Sequence, residues 1–199
     1  QGKTPIIVGG SGLYIRALTD GLSPIPDIPQ DVRDAAMAKQ QELGNPAFHA
    51  ELEKRDPVMA ARFHPFHTAR LVRAWEMIEA TGKSLSEWQQ LTRLKPPEHW
   101  DFQIDIIIPA RPVLHQRCND RFVWMLDNGA LEETESFAAR VENGEVHHNV
   151  PLLKALGYRE LLSYIKGKRS KGEAIEKAQA RTRQYAKQQV TWVRNQILN

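Results

Sequence analysis

The 199-residue chain is 41% hydrophobic and 26% charged, with 27 Lys and Arg against 24 Asp and Glu for a formal charge of +3, the balance of an ordinary globular protein. No run approaches the ~18 consecutive apolar residues of a membrane span. The single cysteine, Cys118, excludes an internal disulfide and suits a reducing cytosol.

The first readable element is the β-branched run Pro5 to Val8, which predicts a buried strand. It breaks on Gly9-Gly10-Ser11-Gly12, and Leu13 to Leu18 loses the two-residue alternation and predicts a helix. Glycines at a strand-to-helix junction admit two readings: an anion site built from bare backbone N–H groups at a helix start, or a tight turn that only connects the two elements. Two nearby sequences imitate a nucleotide-binding P-loop without being one. Gly2-Lys3-Thr4 is followed by Pro5 and a strand, and Gly82-Lys83-Ser84 has Met77 where the first glycine belongs. The chain has neither an initiating Met nor a signal peptide and opens on the approach to a strand, so a preceding segment is expected.

After Gly21, the proline-rich LSPIPDIPQD predicts a linker. Short helices follow: one from Pro29 that ends before Gly44, others started by Asn45-Pro46 and Asp56-Pro57, one over Thr68 to Thr81 that stops at Gly82, and one opened by the capping box Ser84-Leu85-Ser86-Glu87. RLKPPEHWD ends this tract, so residues 23–101 read as an all-helical unit. Phe102 to Ala110 is a second strand-like run, and both runs lack alternation, as in a parallel sheet covered on two faces. Helices are then predicted over Pro112 to Asp127, Leu131 to Glu142, Leu152 to Ile165 and Glu173 to Leu198. Two strands make no stable sheet alone, so further strands are expected from the preceding segment or a partner.

Several groups along these helices suit chemistry. Arg117 and Arg121 lie four apart on one border of the Leu114/Cys118/Phe122/Met125 stripe. Two guanidiniums there suit a phosphate-holding cleft, or their stems simply cover apolar surface. Arg70 and Arg73 sit beside the Leu71/Trp75/Ile78 stripe, and Lys154 and Arg159 bracket Gly157. From Arg159 to Arg194 there are ten basic residues and three acidic ones, a local net charge of +7, while the remainder is net acidic. That asymmetry points to a polyanion, nucleic acid first. On the last helix Arg183, Lys187 and Arg194 share a narrow arc that can track phosphates or form a solvated face, and Tyr185 and Trp192 flank the apolar arc as packing residues. The seven histidines make no zinc spacing with Cys118, and His147-His148 reads as a surface loop.

In order along the chain, PIIVGGSGLYIRALTDGLSPIP, DPVMAARFHPFHTARLVRAWEMIEATGKSLSE, LHQRCNDRFVWMLDNGALEE, KALGYREL and RTRQYAKQQVTWVR resemble the tRNA dimethylallyltransferase (tRNA isopentenyltransferase) family over nearly the whole chain. The resemblance implies an α/β fold: a P-loop-type parallel-sheet core, incomplete and mostly helical in this chain, formed by residues 1–22 and 102–199 and interrupted by the all-α insertion 23–101. It implies transfer of the dimethylallyl group from dimethylallyl diphosphate to N6 of the adenosine 3′ of the anticodon, with the base flipped out of the anticodon loop. Mg²⁺ would assist, its ligands mainly from the preceding segment, which would also carry the P-loop and the general-base aspartate. This polypeptide alone is therefore expected to be inactive. A cytoplasmic monomer is expected.

Residue by residue, Gly9, Gly10 and Ser11 match a diphosphate-side loop that is usually Gly-Gly-Thr, Ser11 keeping the hydroxyl. Arg121 matches an arginine associated with the diphosphate and catalysis, with Arg117 one turn away. Gly12, Asp34, the stretch Arg70, Leu71 and Arg73, the stretch Lys154, Gly157, Tyr158 and Arg159, and Arg183, Gln184 and Lys187 match tRNA-contacting positions. Ala69 stands where the family has Gln, and Gln188 where Arg is frequent, each removing a polar contact. Two other readings stay open: an adenylate isopentenyltransferase acting on a free nucleotide, and a non-catalytic RNA-binding module. The helical insertion and the basic last helix favour tRNA over a free nucleotide.

Overall fold

The computed structural model describes residues 4–148 and 150–198. Gly2 and Lys3 of the first P-loop imitation lie outside them. The chain divides into two compact units, one comprising the chain up to Gly12 together with Gln103 onward, the other Leu13–Phe102.

In the helical unit, α1 (Gly12–Thr19) precedes the proline-rich linker, and α2 (Gln30–Arg55) is kinked at Gly44. Pro29 caps α2 from outside instead of opening its first turn, and the Asn45 side chain bonds Gln40 and Thr68 instead of serving as a cap. α3 (Pro57–Arg62), α4 (Thr68–Thr81) and α5 (Leu85–Gln90) follow the punctuation read from the sequence. Asp56 caps α3, Gly82 closes α4, and Ser84 with Glu87 forms the capping box of α5.

The core here forms because α2 and α4 each turn one apolar stripe inward: Ala36, Phe48 and Leu52 meet Leu71, Val72, Trp75 and Met77. Phe48 and Trp75 lie 5.2 Å apart, and Lys39 Nζ and Arg55 Cζ stand 4.2 and 4.6 Å from the Trp75 ring centroid. Each fully buried large side chain contributes about 1.5–3 kcal/mol. A polar tie crosses this core. The buried Asp56 carboxylate accepts from Met59 N–H at 3.1 Å, Ser86 N–H at 3.2 Å and Ser86 Oγ–H at 2.8 Å, joining the starts of α3 and α5.

The other unit carries α6 (Arg111–Asp127), α7 (Ala130–Glu142), a 3₁₀ turn (Pro151–Lys154), α8 (Tyr158–Ile165) and α9 (Lys171–Gln196). Phe122, Ala130, Leu161 and Ala178 form its core. The helix predicted over Leu152 to Ile165 is broken in two at Gly157, whose φ is 94° and whose Cβ position lies 2.7 Å from Phe122 Cε2. Only a residue without Cβ both adopts that backbone and lets the ring so close.

Neither predicted strand forms. Residues 5–8 and 102–110 are irregular, and among the described residues no strand occurs, only an isolated antiparallel bridge between Leu22 and Leu94. Nor are these runs covered: Ile7 is 71% exposed, Val8 91% and Ile107 87%. β propensity places a residue in a ladder only when a neighbouring strand takes its N–H and C=O groups. The described residues supply none.

Replacing Asp56 with Ala removes the cap and leaves the Ser86 N–H buried without its acceptor, the hydroxyl keeping only Ser84 Oγ at 2.8 Å, so the helical unit should lose about 2–4 kcal/mol in urea unfolding. A loss under about 1 kcal/mol would contradict the tie. Gly157→Ala should destabilise the other unit by about 2–4 kcal/mol through backbone strain and overpacking on Phe122, checked in the same way. Backbone hydrogen bonds from Ser84 and Ser170 hold the Glu87 and Glu173 carboxyls below their usual 4.5. Their contribution is present above the unfolded value and is lost as pH falls through the lower folded one. Carboxyl NMR titrations should place both midpoints below 4.5, and Glu87→Gln should remove that share of the acid sensitivity.

Candidate functional site

The glycine loop is positioned by the last helix. Gly10 lies against the Gln189 carboxamide, with Nε2 only 2.8 Å from where a Cβ would stand, and Gly12 lies under the Trp192 indole. An alanine at Gly12 would collide with that rigid ring, whereas at Gly10 only the flexible end of Gln189 would have to move. The junction reading is therefore half right: residues 9–11 do precede a helix, but no strand precedes them. The absence of side chains here serves close packing on α9 as well as any approach by an anion.

The contacts of α9 (Lys171–Gln196) extend over several turns. Gln179 Nε2 donates to the Asn119 carbonyl at 3.2 Å, and Arg183 donates to Asn119 Oδ1 at 2.6 Å, fixing α6 against the middle of α9. Arg181 donates to Glu160 Oε1 at 2.6 Å, fixing α8. Gln189 is six residues beyond Arg183, so the glycine loop sits about 9 Å further along the same axis. One rigid helix thus carries the loop and the arginine helix together.

On α6, Arg117 and Arg121 are exposed, and among the described residues neither forms an ion pair. Phe122 beside them is buried between Gly157 and the unit's core. Asn119 lies two residues from each arginine, about 160° round the helix. Arg183, held by Asn119, therefore reaches the opposite border of α6 from the Arg117/Arg121 pair. Its side chain is half-buried, while Gln184 and Lys187 are exposed.

In the segment Lys154 to Arg159, Lys154 ends the 3₁₀ turn and is exposed, as is Arg159. Gly157 is buried, and Tyr158 packs edge-on against Phe137 at 5.4 Å. Lys154 and Arg159 present charge to solvent; the residues between them hold the turn. Trp192 and Tyr185 take different roles, Trp192 covering Gly12 and Tyr185 lying exposed.

The helical unit holds its own candidates. Asp34 is exposed on α2 and accepts from Gln30 Nε2 at 2.9 Å. Arg70 is exposed on α4 with Cζ 5.8 Å from the Phe63 ring centroid, and Arg73 bonds the buried Glu76 at 2.5 Å. Leu71, between them, is fully buried, so its side chain serves the core and not a surface contact.

Sequence reasoning did not single out Asn119 or Gln189. Polar side chains in amphipathic helices carry no local mark of a long-range partner. Among the described residues no three of His, Cys, Asp or Glu lie together as metal ligands. No helix among them is long and apolar enough to cross a membrane.

The profile of the IPP transferase family matches residues 1–196. A tRNA dimethylallyltransferase of Rhodospirillum centenum is 45% identical over 196 residues, 98% of this chain and 61% of that protein. Among solved structures, a tRNA delta(2)-isopentenylpyrophosphate transferase from Staphylococcus epidermidis is 35% identical with a TM-score of 0.50, covering 98% of this chain and 61% of that one. A eukaryotic dimethylallyltransferase acting on tRNA is 27% identical with a TM-score of 0.66, covering 96% of this chain and 48% of that one. The chain spans about three fifths of the length of the curated relatives it matches. With the glycine loop, the α6 arginines and the basic α9 all inside a match that runs over residues 1–196, the chain belongs to the IPP transferase family.

Proposed function

We propose that this protein takes part in tRNA dimethylallyl transfer: N6 of the adenosine 3′ of the anticodon attacks C1 of dimethylallyl diphosphate, the C1–O bond breaks, N6 loses a proton and diphosphate departs. The observation that carries this reading is the mounting of the Gly9-Gly10-Ser11 loop and of α6 on the single helix α9, with Arg117 and Arg121 exposed on the borders of α6 away from its Asn119 contact. In it, the loop amides and the Arg117 and Arg121 guanidiniums receive the leaving oxygens. Positive charge placed there in advance stabilises the charge that develops as the bond breaks. The relatives' names supply the reaction, and among the described residues neither arginine forms an ion pair, which leaves their donors for an anion.

The tRNA side of the proposal uses exposed cations: Lys187 with Gln184 on α9, Lys154 and Arg159 flanking the Gly157 turn, and Arg70 on α4, with Asp34 and Gly12 as further contacts. Arg183 and Arg73 have polar partners within the protein and contribute part of their charge. The same reading takes Mg²⁺ as the assisting ion, and the protein as a cytoplasmic monomer with residues 23–101 as an insertion in an α/β core.

Two measurements test it. In calorimetric titration with inorganic pyrophosphate, Arg121→Ala should weaken binding about tenfold or more, as expected for one charge-assisted contact, and Arg117→Ala should weaken it as well. Affinity unchanged in both variants would remove the arginines from the diphosphate site. Binding of an anticodon stem-loop should fall steeply with added salt, and Lys187→Glu should weaken it on many sequences alike while lowering the salt slope by about one. Indifference to both salt and Lys187→Glu would end the RNA reading of α9.

A further inference from the structure

Phe66 lies in the turn between α3 and α4 and is 68% exposed. Single exposed apolar residues are common and need no explanation, but Phe66 does not stand alone. The His64 ring centroid is 5.6 Å from it, and the His67 ring is 5.8 Å from His64. The Phe66 backbone N–H donates to His64 Nδ1 at 3.3 Å, which holds the imidazole beside the phenyl ring. Pro65 stiffens the turn that carries them.

The charge around this turn is one-sided. From Pro57 to Trp75 the chain contains Arg62, Arg70 and Arg73 and no Asp or Glu. The acids that border the stretch are turned inward, Asp56 buried on Ser86 and Glu76 buried on Arg73. Arg70, in the first turn of α4, is exposed, with its guanidinium carbon 5.8 Å from the Phe63 ring centroid. An exposed flat apolar ring held beside an imidazole, in a stretch whose exposed charges are basic, complements a nucleic-acid base, which offers a π-face and an adjoining phosphate.

We propose that Phe66, flanked by His64 and His67, is a stacking platform for an unpaired base of the bound RNA, with Arg70 taking the neighbouring phosphate. This rests on the tRNA reading above and adds to it a residue that contacts bases and not phosphates.

The test is fluorescence anisotropy with an anticodon stem-loop RNA on wild type, Phe66→Leu and Phe66→Trp. Leucine keeps apolar bulk without a π-face, and tryptophan keeps the face. Phe66→Leu should weaken binding about fivefold or more, the loss expected for one stacked base, whereas Phe66→Trp should stay within about twofold. Single abasic substitutions through the loop should identify one position whose loss costs wild type the same factor and costs Phe66→Leu nothing more. Unchanged circular dichroism and thermal midpoint would show that an exposed side chain was replaced without harm to the fold. Wild-type affinity in Phe66→Leu, or an equal loss in Phe66→Trp, overturns the platform. If RNA binding stays salt-dependent and sensitive to Lys187→Glu while Phe66→Leu is neutral, the platform fails and the tRNA reading stands. Absence of stem-loop binding by wild type overturns both.

Discussion

The close seating of Gly10 and Gly12 on α9 is the constraint on which the candidate site depends. Helix α9 is long enough to meet α8 through Arg181, α6 through Gln179 and Arg183, and the glycine loop through Gln189 and Trp192. A straight helix fixes the spacing of these contacts at 1.5 Å per residue. The loop and the arginine helix are therefore placed by one rigid body and not by two independent loops. A Cβ on Gly12 would push against a Trp indole that has no flexible end to move aside. Gly12 is thus explained by packing, whereas Gly9 has open space around it.

The basic residues of the C-terminal region fall into two groups. Arg181 is ion-paired with Glu160 and Lys166 with Glu142, whereas Arg183 bonds the neutral Asn119 amide and keeps its charge. Glu160 is buried, and a buried carboxylate is retained only with a partner, because its desolvation is otherwise uncompensated. The exposed cations of this segment that form no ion pair among the described residues are Arg159, Lys168, Lys171, Lys177, Lys187 and Arg194, with Lys154 just before them.

The two units are stabilised in different ways. The helical unit has a closed apolar core on Phe48, Leu52, Leu71, Trp75 and Met77, locked by the Asp56 carboxylate. The other has a smaller core on Phe122, Ala130, Leu161 and Ala178, with Ile7, Val8 and Ile107 largely in water. Those β-branched residues have strand propensity without a ladder to enter. Propensity alone is worth too little to hold an extended segment against its conformational entropy.

What the sequence determined by itself is what local chemistry decides. The capping box at Ser84, the cap at Asp56 with Pro57 behind it, the stop at Gly82 and the ends of α4 were all legible, because each depends on residues within one turn of each other. The family was legible because several motifs occur in order. The tertiary structure decided the rest. It broke the helix predicted over Leu152 to Ile165, because Phe122, 35 positions earlier, occupies the space beside Gly157. It left both predicted strands unpaired, because pairing is a property of two segments and not of one. It moved Leu71 into the core, sent Arg183 to Asn119 on α6, and set Gln189 over the glycine loop. Contacts between residues distant in sequence carry no periodicity and no spacing, so only the packed chain could assign them.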